Sequence, residues 1–159
     1  MATSPRRKRL RIALAVFWLT AMGWVLLNMQ ARDVESSILS SDANVTVSTT
    51  SSTILFRPTT DTASVGLLFY PGGMVEPHAS APMARAIAEA GYMVAILDLP
   101  FRLAPFARHR DQLAQRPAAL MREDSRQRAW VVGGHSKGGA LAATFARDYA
   151  SDLAGLVLI

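Results

Sequence analysis

Short apolar runs separated by helix-length stretches of mixed polarity organise most of this chain. Val65-Gly66-Leu67-Leu68-Phe69-Tyr70, Tyr92 to Leu97, Ala129 to Gly133 and Leu153 to Ile159 each read as a strand buried on both faces. Between them, residues 79–90 carry Met83, Ala84, Ile87 and Ala88 at helical spacing, with Gly91 as a fitting C-terminal stop. Residues 103–127 are charged and predict a largely helical segment broken at Pro117. A last helix starts just after residue 136 and runs to about Tyr149. Asn44 to Phe56 alternates and is rich in β-branched residues, which predicts a peripheral hairpin. Continuous apolar strands joined by helix-length connections predict the α/β class, with a mostly parallel sheet and helices on both faces.

The N-terminus has a different pattern. From Ile12 to Leu27 the chain reads IALAVFWLTAMGWVLL, without charge and with Thr20 as its one polar residue. As a helix this run rises about 24 Å against a hydrocarbon core of about 30 Å, and snorkelling by its flanking residues is expected to close the gap. A basic stretch followed by an apolar one suits either a signal peptide or an uncleaved signal anchor. Cleavage after Ala31 would put bulky Met29 at the −3 position, so the anchor is preferred. Residues 36–53 then contain eleven Ser or Thr, a composition break that reads as a linker.

The expected organisation is a basic cytoplasmic terminus over 1–11, one transmembrane helix over 12–29, a Ser/Thr-rich linker and hairpin start over 30–53, and a domain over 54–159. The positive-inside rule puts that domain on the extracytoplasmic side of a membrane, or makes it secreted if the N-terminal segment is cleaved.

Composition narrows the chemistry. With 159 residues, half of them hydrophobic, the chain is of one-domain size and has enough apolar residues for a core. The net charge of +5 equals the contribution of Arg6, Arg7, Lys8, Arg9 and Arg11, so the remainder is neutral and does not read as a nucleic-acid binder. The absence of cysteine excludes disulfides, thiolate metal sites and a cysteine nucleophile. Residues 102–128 hold seven arginines against three acidic residues. That segment reads as a solvated helix face, with contact to anionic lipid or substrate as the alternative.

Gly134-His135-Ser136-Lys137-Gly138 fits G-x-S-x-G, and its surroundings supply the strand before it and the small-residue helix after it. A serine on so sharp a turn projects its hydroxyl out of the sheet, and Gly134 and Gly138 leave room for the backbone. Some sixty residues earlier, Phe69-Tyr70-Pro71-Gly72-Gly73 ends a strand in a turn whose glycines allow close approach to a substrate carbonyl. His135 is not expected to act as a base, because its neighbour position on the turn aims it away from Ser136.

On these two motifs, the chain from about Ile54 to Ile159 resembles the α/β-hydrolase fold family. The Tyr-Pro-Gly-Gly and Gly-His-Ser-x-Gly patterns are similar to a bacterial-type, membrane-anchored subgroup. The resemblance implies a serine hydrolase of esters or thioesters that works through an acyl-enzyme on Ser136. It implies backbone oxyanion donors at Lys137, Gly73 and Met74, with no metal and no organic cofactor. Lys137 is expected to contribute its amide and to leave its side chain in solvent.

The same resemblance calls for an acid and then a histidine after the serine. Asp148 and Asp152 are the carboxylate side chains in that stretch and read as solvated turn residues, and His78, His109 and His135 all precede Ser136. The triad acid and base are therefore expected outside the chain, which is read as the first part of a longer hydrolase and as inactive alone. A non-catalytic, membrane-tethered binding domain on the same fold, or an acyltransferase, are the alternatives.

Overall fold

A computed structural model of the protein describes residues 5–28, 34–60, 63–124 and 126–159. The predicted segment ends at residues 1–4, Met29 and 30–33 lie outside the described residues. The chain divides into Met1–Gln30 and Ala31–Ile159.

In the first unit, α1 (Pro5–Asn28) is one helix whose large apolar side chains, Phe17, Trp18, Leu19 and Trp24 among them, are exposed. Among the described residues no helix is long and apolar enough to cross a membrane, and the end of the expected span over 12–29 lies outside the described residues. Its first two turns carry the basic cluster, and the uncharged run behind them rises about 24 Å.

The second unit is built on a six-stranded sheet in the order β1-β2-β4-β3-β5-β6. Its strands are β1 (Val45–Thr49), β2 (Thr53–Pro58), β3 (Val65–Tyr70), β4 (Met93–Leu97), β5 (Ala129–Gly134) and β6 (Gly155–Leu158). β3, β4, β5 and β6 are parallel, while the β1–β2 hairpin joins antiparallel to β4. The helices are α2 (Ala81–Glu89), α3 (Ala107–Glu123) and α4 (Lys137–Asp148).

All of β4 is buried, and its alternate residues feed two cores. Met93, Ala95 and Leu97 meet Leu113 and Ala118 of α3 and Ala142 and Phe145 of α4. Val94 and Ile96 meet Ala81, Ala84 and Ala88 of α2. Helices therefore cover both faces, as the apolar runs predict. β6 differs from the reading of it as a buried strand, because Leu156 through Ile159 are exposed at a sheet edge.

Two local expectations are corrected. Residues 34–43 are not a free linker: Ser36–Leu39 form a 3₁₀ turn, and Val34, Ile38 and Leu39 pack on the α2-side core. Arg85, buried on α2, holds this stretch by donating to the carbonyls of Ile38 at 3.3 Å and Ser40 at 2.8 Å and by pairing with Asp42.

Pro117 does not break α3, which continues through it. A proline has no amide to give the carbonyl four residues back, here that of Leu113. The buried Tyr70 hydroxyl donates to that carbonyl at 2.6 Å instead, so the orphaned acceptor is satisfied from the sheet. Burial also pushes the Tyr70 pKa far above its ordinary value, which keeps the hydroxyl a donor.

Candidate active site

The parallel strands present their C-terminal ends on one side of the sheet, and the two motif loops leave from there. β5 ends at Gly134, and α4 begins at Lys137, so the chain must reverse across His135 and Ser136. Ser136 accomplishes this with φ 52° and ψ −118°, a conformation that costs a non-glycine residue roughly 1–3 kcal/mol.

Backbone hydrogen bonds on both sides hold that geometry. His135 N–H donates to Tyr70 at 3.2 Å, Gly138 N–H to His135 at 2.8 Å, and Ser136 N–H to Ile159 at 3.2 Å. The flanking glycines are required by space: a Cβ on Gly138 would collide with the carbonyl oxygens of Tyr70 and Pro71, and one on Gly134 with the backbone of Gly138. Ser136 itself is exposed.

The loop after β3 runs beside this turn. A Cβ placed on Gly73 would lie 3.3 Å from Lys137 Cβ and 3.2 Å from Lys137 Cδ, so Gly73 touches the first residue of α4. The Lys137 amide, as the first of the helix, has no intrahelical acceptor, and among the described residues none accepts from Gly73 N–H either. Met74 is different. It has φ 64° and gives its N–H to the Arg102 carbonyl at 2.7 Å, which withdraws it from the expected donor set.

Lys137 is exposed as expected, but its stem lies over Gly73 beside Leu103 and does not simply extend into solvent. His135 is exposed, and a Cβ on Gly72 would come within 2.9 Å of its Nδ1, so its ring covers the glycine loop.

The remaining candidates are spread over the domain. His78, in the 3₁₀ turn Pro77–Ser80, hydrogen-bonds Glu76 at 3.1 Å. His109 is buried, with 3 % exposure, between the rings of Phe101 and Phe106. Asp148 and Asp152 are exposed at the far end of α4, about 18 Å of helix away from Ser136 at 1.5 Å per residue. Asp148 pairs there with its neighbour Arg147 at 2.8 Å.

Sequence reading missed the segment at residues 99–104, whose Arg102 carbonyl captures Met74. Phe101, Arg102 and Ala104 all have positive φ there, and no glycine in the segment marks it. The faint signal is Asp98 with Pro100, which ends β4 abruptly.

The family described as "Alpha/beta hydrolase family" matches residues 66–159. Among curated proteins none matches the chain. Three solved structures show the same fold. A brefeldin A esterase, described as a bacterial homologue of human hormone-sensitive lipase, is 21% identical with a TM-score of 0.56, over 84% of this chain and 47% of that one. A hormone-sensitive-lipase homologue from a metagenome library is 18% identical with a TM-score of 0.59, over 88% and 55%. A bacterial heroin esterase is 23% identical with a TM-score of 0.54, over 77% and 47%. The chain thus spans about half the length of these structures.

Proposed function

The chain belongs to the α/β hydrolase family, and from that premise we propose that the protein is a serine hydrolase of small esters or thioesters with Ser136 as its nucleophile. The observation that carries this reading is the strained, exposed Ser136 on a strand–turn–helix, with the Gly73 loop in contact with the residue that follows it. In the proposed reaction the Ser136 hydroxyl attacks the acyl carbonyl and its proton passes to a general base. The carbonyl oxygen gains negative charge opposite the Lys137 and Gly73 amides, the alcohol or thiol leaves, and water releases the acyl group.

Such donors act without reorganising, because the helix start and the glycine loop fix both amides before substrate arrives. Removing one donor of this kind elsewhere typically costs about 10²–10³ in kcat. The reading requires a base, and among the described residues none of His78, His109 and His135 hydrogen-bonds Ser136. The activity is therefore to be measured on the whole protein.

The test is hydrolysis of p-nitrophenyl acetate and butyrate, with labelling by a fluorophosphonate. Wild-type protein should turn over and be labelled, and Ser136→Ala should lose both while keeping its circular dichroism. Turnover by Ser136→Ala at the wild-type rate sinks the assignment. Product analysis with added alcohol separates hydrolysis from acyl transfer.

We further propose that the basic, then apolar segment of α1 is an export signal that carries the hydrolase domain to the extracytoplasmic side and associates with the membrane during export. Its support is the exposed apolar surface behind the basic cluster. Cell fractionation with protease accessibility tests it, and a domain protected with the cytosol would refute it.

A further inference from the structure

Beside the candidate active site, on the β2 side of β4, the sheet end and two loops enclose a cavity of about 270 Å³. Thr49 and Thr53 come to it from the hairpin, His78 from the 3₁₀ turn after β3, and Asp98, Phe101 and Arg102 from the segment after β4. We propose that this cavity is a binding site for a small, neutral, hydroxyl-rich group, a polyol or a monosaccharide unit. It would serve as the subsite for the alcohol part of the ester, a role that rests on the hydrolase reading.

The first argument is hydrogen-bond chemistry. The Asp98 carboxylate accepts from the Leu99 amide and, among the described residues, from no side chain. The threonine hydroxyls at 49 and 53 are not committed to the turn either, which uses the hydroxyl of Thr50 instead. A carboxylate accepts only, whereas hydroxyls both give and accept. Vicinal hydroxyls on a ligand match that mixture.

The second argument is charge. Glu76 lines the same cavity, hydrogen-bonded to His78 at 3.1 Å and 3.8 Å from Arg102. Glu76 and Asp98 are balanced by Arg102 in the lining and by Arg116, which also acts on Asp98, so the cavity offers a phosphate or carboxylate ligand no net positive charge. Arg102 opposes an ammonium. Burial raises the Asp98 pKa, against the pull of Arg116, Arg102, the Leu99 amide and His78.

The third argument is shape. Ile54, Leu99 and Phe101 give the cavity an apolar side, and the Phe101 ring at its mouth is 75 % exposed, a surface suited to the C–H face of a sugar. Its volume falls just below the roughly 300–1,000 Å³ of drug-sized sites, which suits a small headgroup and excludes a long chain.

The cavity is joined to the Ser136 turn through the glycine loop. Arg102 lines the cavity and accepts from Met74, while Leu103 lies 3.5 Å from a Cβ placed on Gly73.

The experiment is saturation-transfer NMR and titration calorimetry on the whole protein, with glycerol and methyl α-glucopyranoside as probes and ethanolamine as the cationic control. Wild-type protein and Ser136→Ala should bind a polyol probe equally, and ethanolamine should not compete. Asp98→Leu should raise the Kd at least about fivefold and Thr53→Val about two- to fivefold, as expected for single hydrogen bonds. Thr53→Val decides the matter if Asp98→Leu does not fold.

No polyol binding, binding indifferent to the substitutions, or binding of ethanolamine in preference would each overturn the proposal. Because binding is read without turnover, the two readings fail separately. A protein that binds polyol without hydrolysing any ester refutes the hydrolase role and leaves the cavity's ligand assigned. One that hydrolyses esters without binding polyol refutes the cavity's ligand alone.

Discussion

Of the turns beside this sheet end that hold non-glycine residues at positive φ, the one at Ser136 and the one after β4 are built in opposite ways. At Ser136 (φ 52°) glycines stand at positions 134 and 138, so the neighbours yield space and one residue bears the strain. In the segment after β4, Phe101 (φ 53°), Arg102 (φ 54°) and Ala104 (φ 47°) share it with no glycine in the segment. There the strain is held by contacts. Ala104 N–H donates to Pro100 at 2.8 Å, Arg102 N–H to Leu99 at 2.7 Å, and Met74 ties the Arg102 carbonyl to the neighbouring loop. The Phe101 ring rests on His109, 5.4 Å away, and the Nδ1 of His109 accepts from the Phe106 amide at 3.5 Å, capping α3. A strained residue thus persists either because its neighbours leave room or because its surroundings permit nothing else.

The difference can be broken most sharply at Gly138. Gly138→Ala should destabilise the domain by about 4 kcal/mol or more, since the clash is with backbone that cannot rotate away, and chemical denaturation of the whole protein would show it. The contact-held turn should fail more gently. His109→Ala, which removes a buried ring from between two phenylalanines and the acceptor at the start of α3, is expected to cost about 2–3 kcal/mol. It should also raise the hydrogen-exchange rate of the Met74 amide, whose partner sits in that turn.

Ser136→Gly sharpens the comparison from the other direction. It should raise stability by about 1 kcal/mol by relieving the backbone while ending hydrolysis, so a rise in Tm with loss of activity is the expected pair. The smallest effect is predicted at Asp98, at the base of the contact-held turn. Burial raises its pKa above 3.8, so the folded state holds the proton more tightly than the unfolded one. Its contribution to stability is therefore present below that ordinary value and lost as pH rises through the raised one. Asp98→Asn should flatten this part of the profile of unfolding free energy against pH, and an unchanged slope would count against the burial of the carboxyl.

Much of the domain is legible from pattern alone, because burial on both faces requires a run of apolar residues whatever their partners. β3, β4 and β5 start or end within about a residue of their apolar runs, and the hairpin over 44–56 appears as β1 and β2. Gly91 does end the helical stretch with φ 96°. The Ser136 turn is legible for the same reason that it is strained, since steric exclusion of Cβ leaves glycines as a written trace. What pattern misses is decided by partners distant in sequence. Pro117 reads as a break until the Tyr70 hydroxyl supplies the missing bond from the sheet. The serine-rich stretch reads as a linker until buried Arg85 collects its carbonyls.

The site divides along the same line. Ser136, its two glycines and the Gly72-Gly73 loop can be named from local spacing, because a tight turn at a strand end is a local problem with few solutions. Met74's loss as a donor, the capture of its amide by Arg102 and the gathering of Thr53, His78 and Asp98 around one cavity belong to the tertiary structure alone. Those relations join residues from separate strands and loops, and only the register of the sheet, parallel between β3 and β4 and antiparallel between β2 and β4, sets them side by side.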